Sequence, residues 1–174
     1  MDWVCFEDPE EVGSGERSVG AYWSCGGSMT QEDDSSPNGR SGGCLCGAVR
    51  YEVRGALRPV VDCHCTMCRR TSGHFAAFTA TRPQGLLLIE SDGLRWYRSS
   101  ATARRGFCEI CGSSVFWEPA SGDRVSIAAG TLDPPTGLET VVHVFVEDAS
   151  DYYGICDGLP QRADGDHGMM IPAD

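Results

Sequence analysis

The chain contains no lysine; all 14 of its basic residues are arginine. A lysine Schiff base is therefore excluded as a mechanism. No apolar run approaches the roughly 20 residues needed to cross a membrane. The N-terminus has no basic stretch followed by an apolar core, so no secretory signal is read there. These absences lead to the expectation of a cytoplasmic protein with no membrane partner. The arginines are outnumbered by 25 acidic residues, leaving a net charge of −11. Phosphate backbones want a basic face, so nucleic acid is excluded as a partner. Helical patterning is scarce too, and strand patterning takes its place.

At 174 residues the chain has the length of one domain with a tail. Residues 1–40 hold nine acids and two arginines, in stretches such as "GSGERS" and "QEDDSSPNGRSGG". Such a composition cannot offset the entropy of ordering, so residues 1–41 are expected to form a flexible acidic arm. Trp3, Phe6, Tyr22 and Trp23 are unusual in an arm. Either they dock on the domain, or Met29 is the true start and residues 1–28 are upstream sequence. Residues 42–160 form the expected domain and residues 161–174 a polar tail. Within the domain "AVRYEV" alternates, placing Val49, Tyr51 and Val53 on one face. "HFAAFTAT", "GLLLIE", "LRWYR", "SSVFWEP", "RVSIAAG" and "TVVHVFVED" read as further strands between Gly, Pro and Asp turns. The convincing helical turn is "TMCRRTSG". The fold class is mainly β, an antiparallel sandwich or folded-over sheet with little helix.

Ten cysteines in a reducing compartment are expected as thiols rather than disulfides. Seven fall into three tight groups: "CLC" (Cys44, Cys46), "CHCTMC" (Cys63, Cys65, Cys68) and "CEIC" (Cys108, Cys111). Closely spaced cysteines turn back on one ion when the intervening loop aims both sulfurs inward. Gly112 after "CEIC" and the glycines around "CLC" ease such turns. A redox pair would want a C-x-x-C at a helix start beside a βαβ pattern, which is missing. Seven ligands divide as four and three. Four thiolates close a zinc site, whereas three leave a position for water or substrate. An all-thiolate set suits zinc and a further sulfur ligand, so the open site invites a substrate thiol. The competing reading has His64 or a distant residue filling the fourth position, making both sites structural. Spacing alone does not say which groups share an ion: Cys65 and Cys68 with Cys108 and Cys111 would make a zinc ribbon.

"GGCLCGAVRYEV", "CHCTMCRRTSG", "FCEICGSSVFW", "VSIAAGTLD" and "DGLPQ" occur in that order. Through these motifs the chain resembles the glutathione-dependent formaldehyde-activating enzyme family, which includes centromere protein V, over residues 42–160. The resemblance implies a zinc-stabilised antiparallel β-tent fold and two zinc ions per chain. It implies that Cys44, Cys46, Cys108 and Cys111 hold a structural zinc, and that Cys63, Cys65 and Cys68 hold a catalytic one. It further implies a carbon–sulfur lyase that joins or cleaves a small thiol and an aldehyde, as in forming S-hydroxymethylglutathione from glutathione and formaldehyde. The alternative is a non-catalytic zinc-binding interaction module, or a family enzyme acting on another carbonyl or thioether.

Other residues carry two readings each. Arg69 and Arg70 follow the trio and either pair with carboxylates of a peptide-like thiol or cap the helix end. Arg104 and Arg105, just before the second knuckle, share that ambiguity. His143 is either a proton shuttle or, the preferred reading, a satisfied core histidine. Trp117, Tyr152 and Tyr153 either line a pocket or belong to the core.

Overall fold

The computed structural model describes residues 40–165 and Ile171, and the alternating runs form strands throughout. In chain order these are β1 (Arg40–Gly43), β2 (Arg50–Val53), β3 (Val60–Cys63), β4 (Ala76–Thr81), β5 (Leu86–Glu90) and β6 (Leu94–Ser100). They continue with β7 (Ala103–Cys108), β8 (Ser114–Pro119), β9 (Val125–Ala128), β10 (Thr140–Val144) and β11 (Gln161–Arg162). The helix α1 (Thr66–Ser72) follows β3. It stops at Gly73, whose φ of 78° is the left-handed conformation that glycine adopts without a steric cost. Among the described residues no helix is long and apolar enough to cross a membrane.

Strands β1, β2 and β5 make a small antiparallel sheet. The other eight form one sheet in the order β11-β10-β3-β4-β9-β8-β7-β6. Most of its pairs are antiparallel, but β10 runs parallel to both β3 and β11. The fold is mainly β as expected, with these parallel pairs as the departure.

Val49, Tyr51 and Val53 are buried together, and they meet Phe116, Val115, Val125 and Ile127 of the large sheet in the main core. The Tyr51 and Phe116 rings meet edge-on, with centroids 5.2 Å apart. Burial pushes the Tyr51 phenol up to about 12, and its hydroxyl is 2.7 Å from Thr131 Oγ1. At the other end of the large sheet, Val61, Val142 and Val144 form a separate apolar cluster between β3 and β10.

Four strands escape a reading by alternation. β1, "RSGG", looks like loop, yet it pairs residue for residue with β2. Strand order therefore begins at Arg40, ahead of the Gly42 boundary read from composition. Ser41 Oγ donates to Asp133 Oδ2 at 2.7 Å, and Arg50 clamps the same carboxylate. β3, "VVDC", has three consecutive buried residues and hence no alternation to see. β7 carries Arg104 and Arg105 where a strand was not expected, and β11 falls in the segment read as tail. Conversely, β10 stops at Val144 although the pattern "TVVHVFVED" continues; Phe145 takes the left-handed conformation (φ 56°) and turns the chain away. Cys156 is disulfide-bonded, which departs from the expectation of thiols throughout. The arm's aromatic residues and Met29 lie outside the described residues.

Gly42 shows how tightly β1 is seated. A Cβ there would collide with the Tyr51 hydroxyl and the Thr131 carbonyl oxygen. Gly42→Ala is expected to destabilise the domain by about 1–3 kcal/mol, the usual range for overpacking. Denaturant melts of the two proteins check this.

Candidate functional site

The turn after β1 and the turn after β7 each deliver two cysteines to one point. Cys44, Cys46, Cys108 and Cys111 have sulfurs that all lie within 4.8 Å of one another. Cys44 and Cys46 sulfurs are 3.6 Å apart, and Cys46 and Cys108 sulfurs 3.7 Å. With zinc–sulfur bonds of about 2.3 Å, a tetrahedral site has sulfur–sulfur edges of about 3.8 Å, so the cluster fits a thiolate-bound zinc. Both turns depend on a left-handed glycine just after the second cysteine, Gly47 (φ 84°) and Gly112 (φ 77°). Backbone and hydroxyl groups support the sulfurs. Val49 N–H donates to Cys44 Sγ at 3.2 Å, and Ser113 Oγ lies 3.2 Å from Cys111 Sγ. The contact with Ser113 holds the Cys111 thiol down to about 5.

The remaining trio sits where β3 runs into α1. Cys63, Cys65 and Cys68 also have sulfurs within 4.8 Å of one another. Cys65 caps α1, its sulfur accepting the Cys68 N–H at 3.4 Å. Hydrogen bonds from the Cys63 and Cys68 thiols lower Cys65 to about 2, and the same hydrogen bond to Cys65, with burial, pushes Cys63 up. The trio thus holds a thiolate at Cys65, the form in which cysteine binds a metal. Its three donors fit a zinc that keeps a fourth position for a ligand.

His64 does not supply that position. It is fully buried, and its ring leaves β3 on the face opposite Cys63 and Cys65. Its Nδ1 is 2.6 Å from the Tyr153 hydroxyl and its Nε2 is 2.9 Å from His143 Nδ1. His143 Nε2 in turn lies 2.8 Å from Asp157 Oδ2. The carboxylate can only accept, so His143 Nε2–H donates to Asp157. With His143 neutral, His64 Nε2–H donates to His143 and Tyr153 O–H to His64; a protonated His143, with Asp62 Oδ2 3.9 Å from its Nδ1, reverses both directions. Burial, with His143 beside it, lowers His64 to about 4. His143 is thus a satisfied core histidine, while Tyr152 meets His74 Nδ1 at 2.8 Å.

The trio opens into a cavity of about 200 Å³. Its apolar wall includes Met67, Phe78, Val144 and Phe145, and Trp117 lies in it as well. Its cations are Arg58, Arg105 and Arg124. Arg69 and Arg70, the arginines next to the trio in sequence, lie on α1 and do not line it. Burial raises the Tyr153 phenol, and the Arg69 charge offsets part of that rise. Arg104 points to the other face, pairing with Glu118 and lying 4.1 Å over the Trp96 ring. Sequence reading missed Arg58, Arg124 and Phe145. The parity of β7, which separates Arg104 from Arg105, was the available signal for choosing between those two.

Phe145 stands at the cavity wall in a backbone conformation that costs a bulky residue about 1–2 kcal/mol. Phe145→Gly is expected to be more stable than Phe145→Ala by about 1 kcal/mol, since only glycine relieves the backbone while both lose the ring. Thermal melts decide this. For the histidine chain, NMR titration of the ring carbons from pH 8 to pH 5 is expected to leave His64 neutral throughout.

Comparison with known proteins places these features. The family described as glutathione-dependent formaldehyde-activating enzyme matches residues 39–148. A protein of Schizosaccharomyces pombe described as an uncharacterized lyase is 28% identical over 116 residues, covering 64% of this chain and 82% of its own length. The crystal structure of a Rhodobacter sphaeroides protein is similar with a TM-score of 0.49 and 25% identity, covering 57% of this chain and 97% of that one. The family match spans both knuckles, the cysteine trio and the cavity strands β3 to β10, and the chain accordingly belongs to the glutathione-dependent formaldehyde-activating enzyme family.

Proposed function

We propose that the chain is a zinc-dependent carbon–sulfur lyase that joins or cleaves a small thiol and an aldehyde such as formaldehyde. One observation carries this reading: seven cysteines separate into a closed four-sulfur cluster at a turn and a three-sulfur cluster on the wall of a cavity. Family membership and the lyase relative support the reaction class.

Cys63, Cys65 and Cys68 would hold the catalytic zinc, and Cys44, Cys46, Cys108 and Cys111 the structural one. Zinc at the trio supplies Lewis acidity and lowers the pKa of a thiol in the cavity. The chain's own residues do the rest. Met67, Phe78, Val144 and Phe145 give the cavity beside the trio an apolar wall. The cavity brings thiol and carbonyl together in place of a bimolecular encounter. Arg105 donates from Nη2 to Cys68 Sγ at 3.6 Å, which stabilises that sulfur as thiolate. Cavity guanidinium groups also oppose the negative charge that grows on the carbonyl oxygen. In the addition a carbon–sulfur bond forms and the carbonyl π bond opens. The thiol proton ends on the new hydroxyl, and nothing is oxidised or reduced. His143 faces away from this chemistry.

Metal analysis of the purified chain is expected to find two zinc ions. Cys108→Ser removes a ligand of the closed cluster and is expected to unfold the domain, because structural zinc binding is folding free energy. Cys65→Ser is expected to keep a cooperative melt, lose one zinc and lose acceleration of hydroxymethyl thioether formation from labelled formaldehyde, followed by NMR. His143→Ala is expected to cost at most the general-acid factor of about 10²–10⁴. One zinc in the unmutated protein, or full rate in Cys65→Ser, overturns the reading.

A further inference from the structure

Strands β7, β8 and β9 set three cavity residues side by side, with Arg105 paired to Trp117 and Trp117 to Ser126. Arg105 is only 8% exposed. One end of its guanidinium meets Cys68, while its buried Nε has no hydrogen-bond partner. A buried cation with an unsatisfied donor costs free energy until an anion meets it. Zinc held by three thiolates carries a single negative charge, and that charge lies at the Cys68 end. Arg58 and Arg124 line the same cavity. The planar fork of arginine matches the two oxygens of a carboxylate.

We propose that Arg105 anchors a carboxylate of the substrate, and that the site takes a short carboxylate-bearing reactant. The anchor touches the trio itself, so acid group and reacting atom lie only a few bonds apart. A long peptide-like thiol with its carboxylates at the far ends does not match that spacing. Mercaptoacetate on the thiol side and glyoxylate on the aldehyde side are the simplest probes. Either enters the same balanced addition: the carbon–sulfur bond forms, the carbonyl π bond opens and the thiol proton moves to oxygen. The reacting atom is assigned by the lyase reading, on which this inference rests; the anion site follows from Arg105 alone.

The experiment uses the zinc-loaded full chain and two arms. The thiol arm compares mercaptoacetate with 2-mercaptoethanol, each with formaldehyde. The aldehyde arm compares glyoxylate with acetaldehyde, each with 2-mercaptoethanol. Adducts are followed by NMR, and calorimetry measures the binding of each single reactant. In one arm the charged reactant is expected to exceed its neutral counterpart by about 10- to 100-fold in kcat/KM and in affinity, the range for a hydrogen bond to a charged group. The arm that shows it identifies the carboxylate's source. Arg105→Gln is expected to erase the preference and Arg105→Lys to restore part of it. Should Arg105→Gln lose metal, the charged-against-neutral comparison in the unmutated protein decides by itself. Equal rates and affinities in both arms overturn the anion anchor and leave the lyase reading standing. Arg105-dependent carboxylate binding without any adduct overturns the lyase reading and leaves the anchor standing.

Discussion

Four sulfurs brought within 4.8 Å of one another tie the β1–β2 hairpin to the β7–β8 hairpin. β1 has four residues, half of them glycine; beyond its pairing with β2 it meets Leu132 and Asp133 through backbone bonds at Gly42 and Ser41, and Ser41 of β1 and Arg50 of β2 hold the half-exposed Asp133 carboxylate. Exposed ion pairs of that kind contribute at most about 1 kcal/mol. The sulfur cluster lies at the edge of the core in which Val49, Tyr51 and Val53 meet Phe116 and Ile127. Strand pairing of β7, β8 and β9 sets Arg105, Trp117 and Ser126 side by side along the cavity.

The side-chain alternation of β3 and the turn beyond it separates two jobs. Val61, Cys63 and Cys65 face the cavity, while Asp62 and His64 face a polar core. The polar side is ordered from Asp157 through His143 and His64 to Tyr153. Both ring nitrogens of His64 are engaged, so it cannot rotate toward the trio without breaking its hydrogen bonds to Tyr153 and His143. Contacts on the opposite face of the strand thus hold His64 away from the three sulfurs.

Much of this was legible because the relevant signals are local. Cysteine spacing, Gly112 and the period-two run at Val49–Val53 are each readable within a dozen residues. Spacing left the pairing of the groups open, and resemblance implied a division that the structure draws together in space. Non-local facts were not legible. β1 looks like loop because its strand character comes from β2 and from the space beneath the Tyr51 hydroxyl. Arg69 and Arg70 attracted attention by adjacency to the trio, but they lie on α1 and are not among the residues that line the cavity. Arg105, far along the chain, arrives by strand pairing. Phe145 looked like the continuation of a strand, and only its backbone angle shows the break.

The parallel pairing of β10 with β3 has a consequence for how the domain assembles. Val144 sits beside Cys63, although most of the domain's sequence lies between them. Long-range parallel pairing pays its loop-closure entropy before any contact rewards it, which makes it slow. The knuckles at Cys44–Cys46 and Cys108–Cys111 are complete once the ribosome has released residue 111, whereas the cavity wall waits for β10 and Phe145. During synthesis the thiols that hold the fold are thus sheltered early. The trio stays exposed longer, because β10, one of the last strands to arrive, carries part of the wall that encloses it.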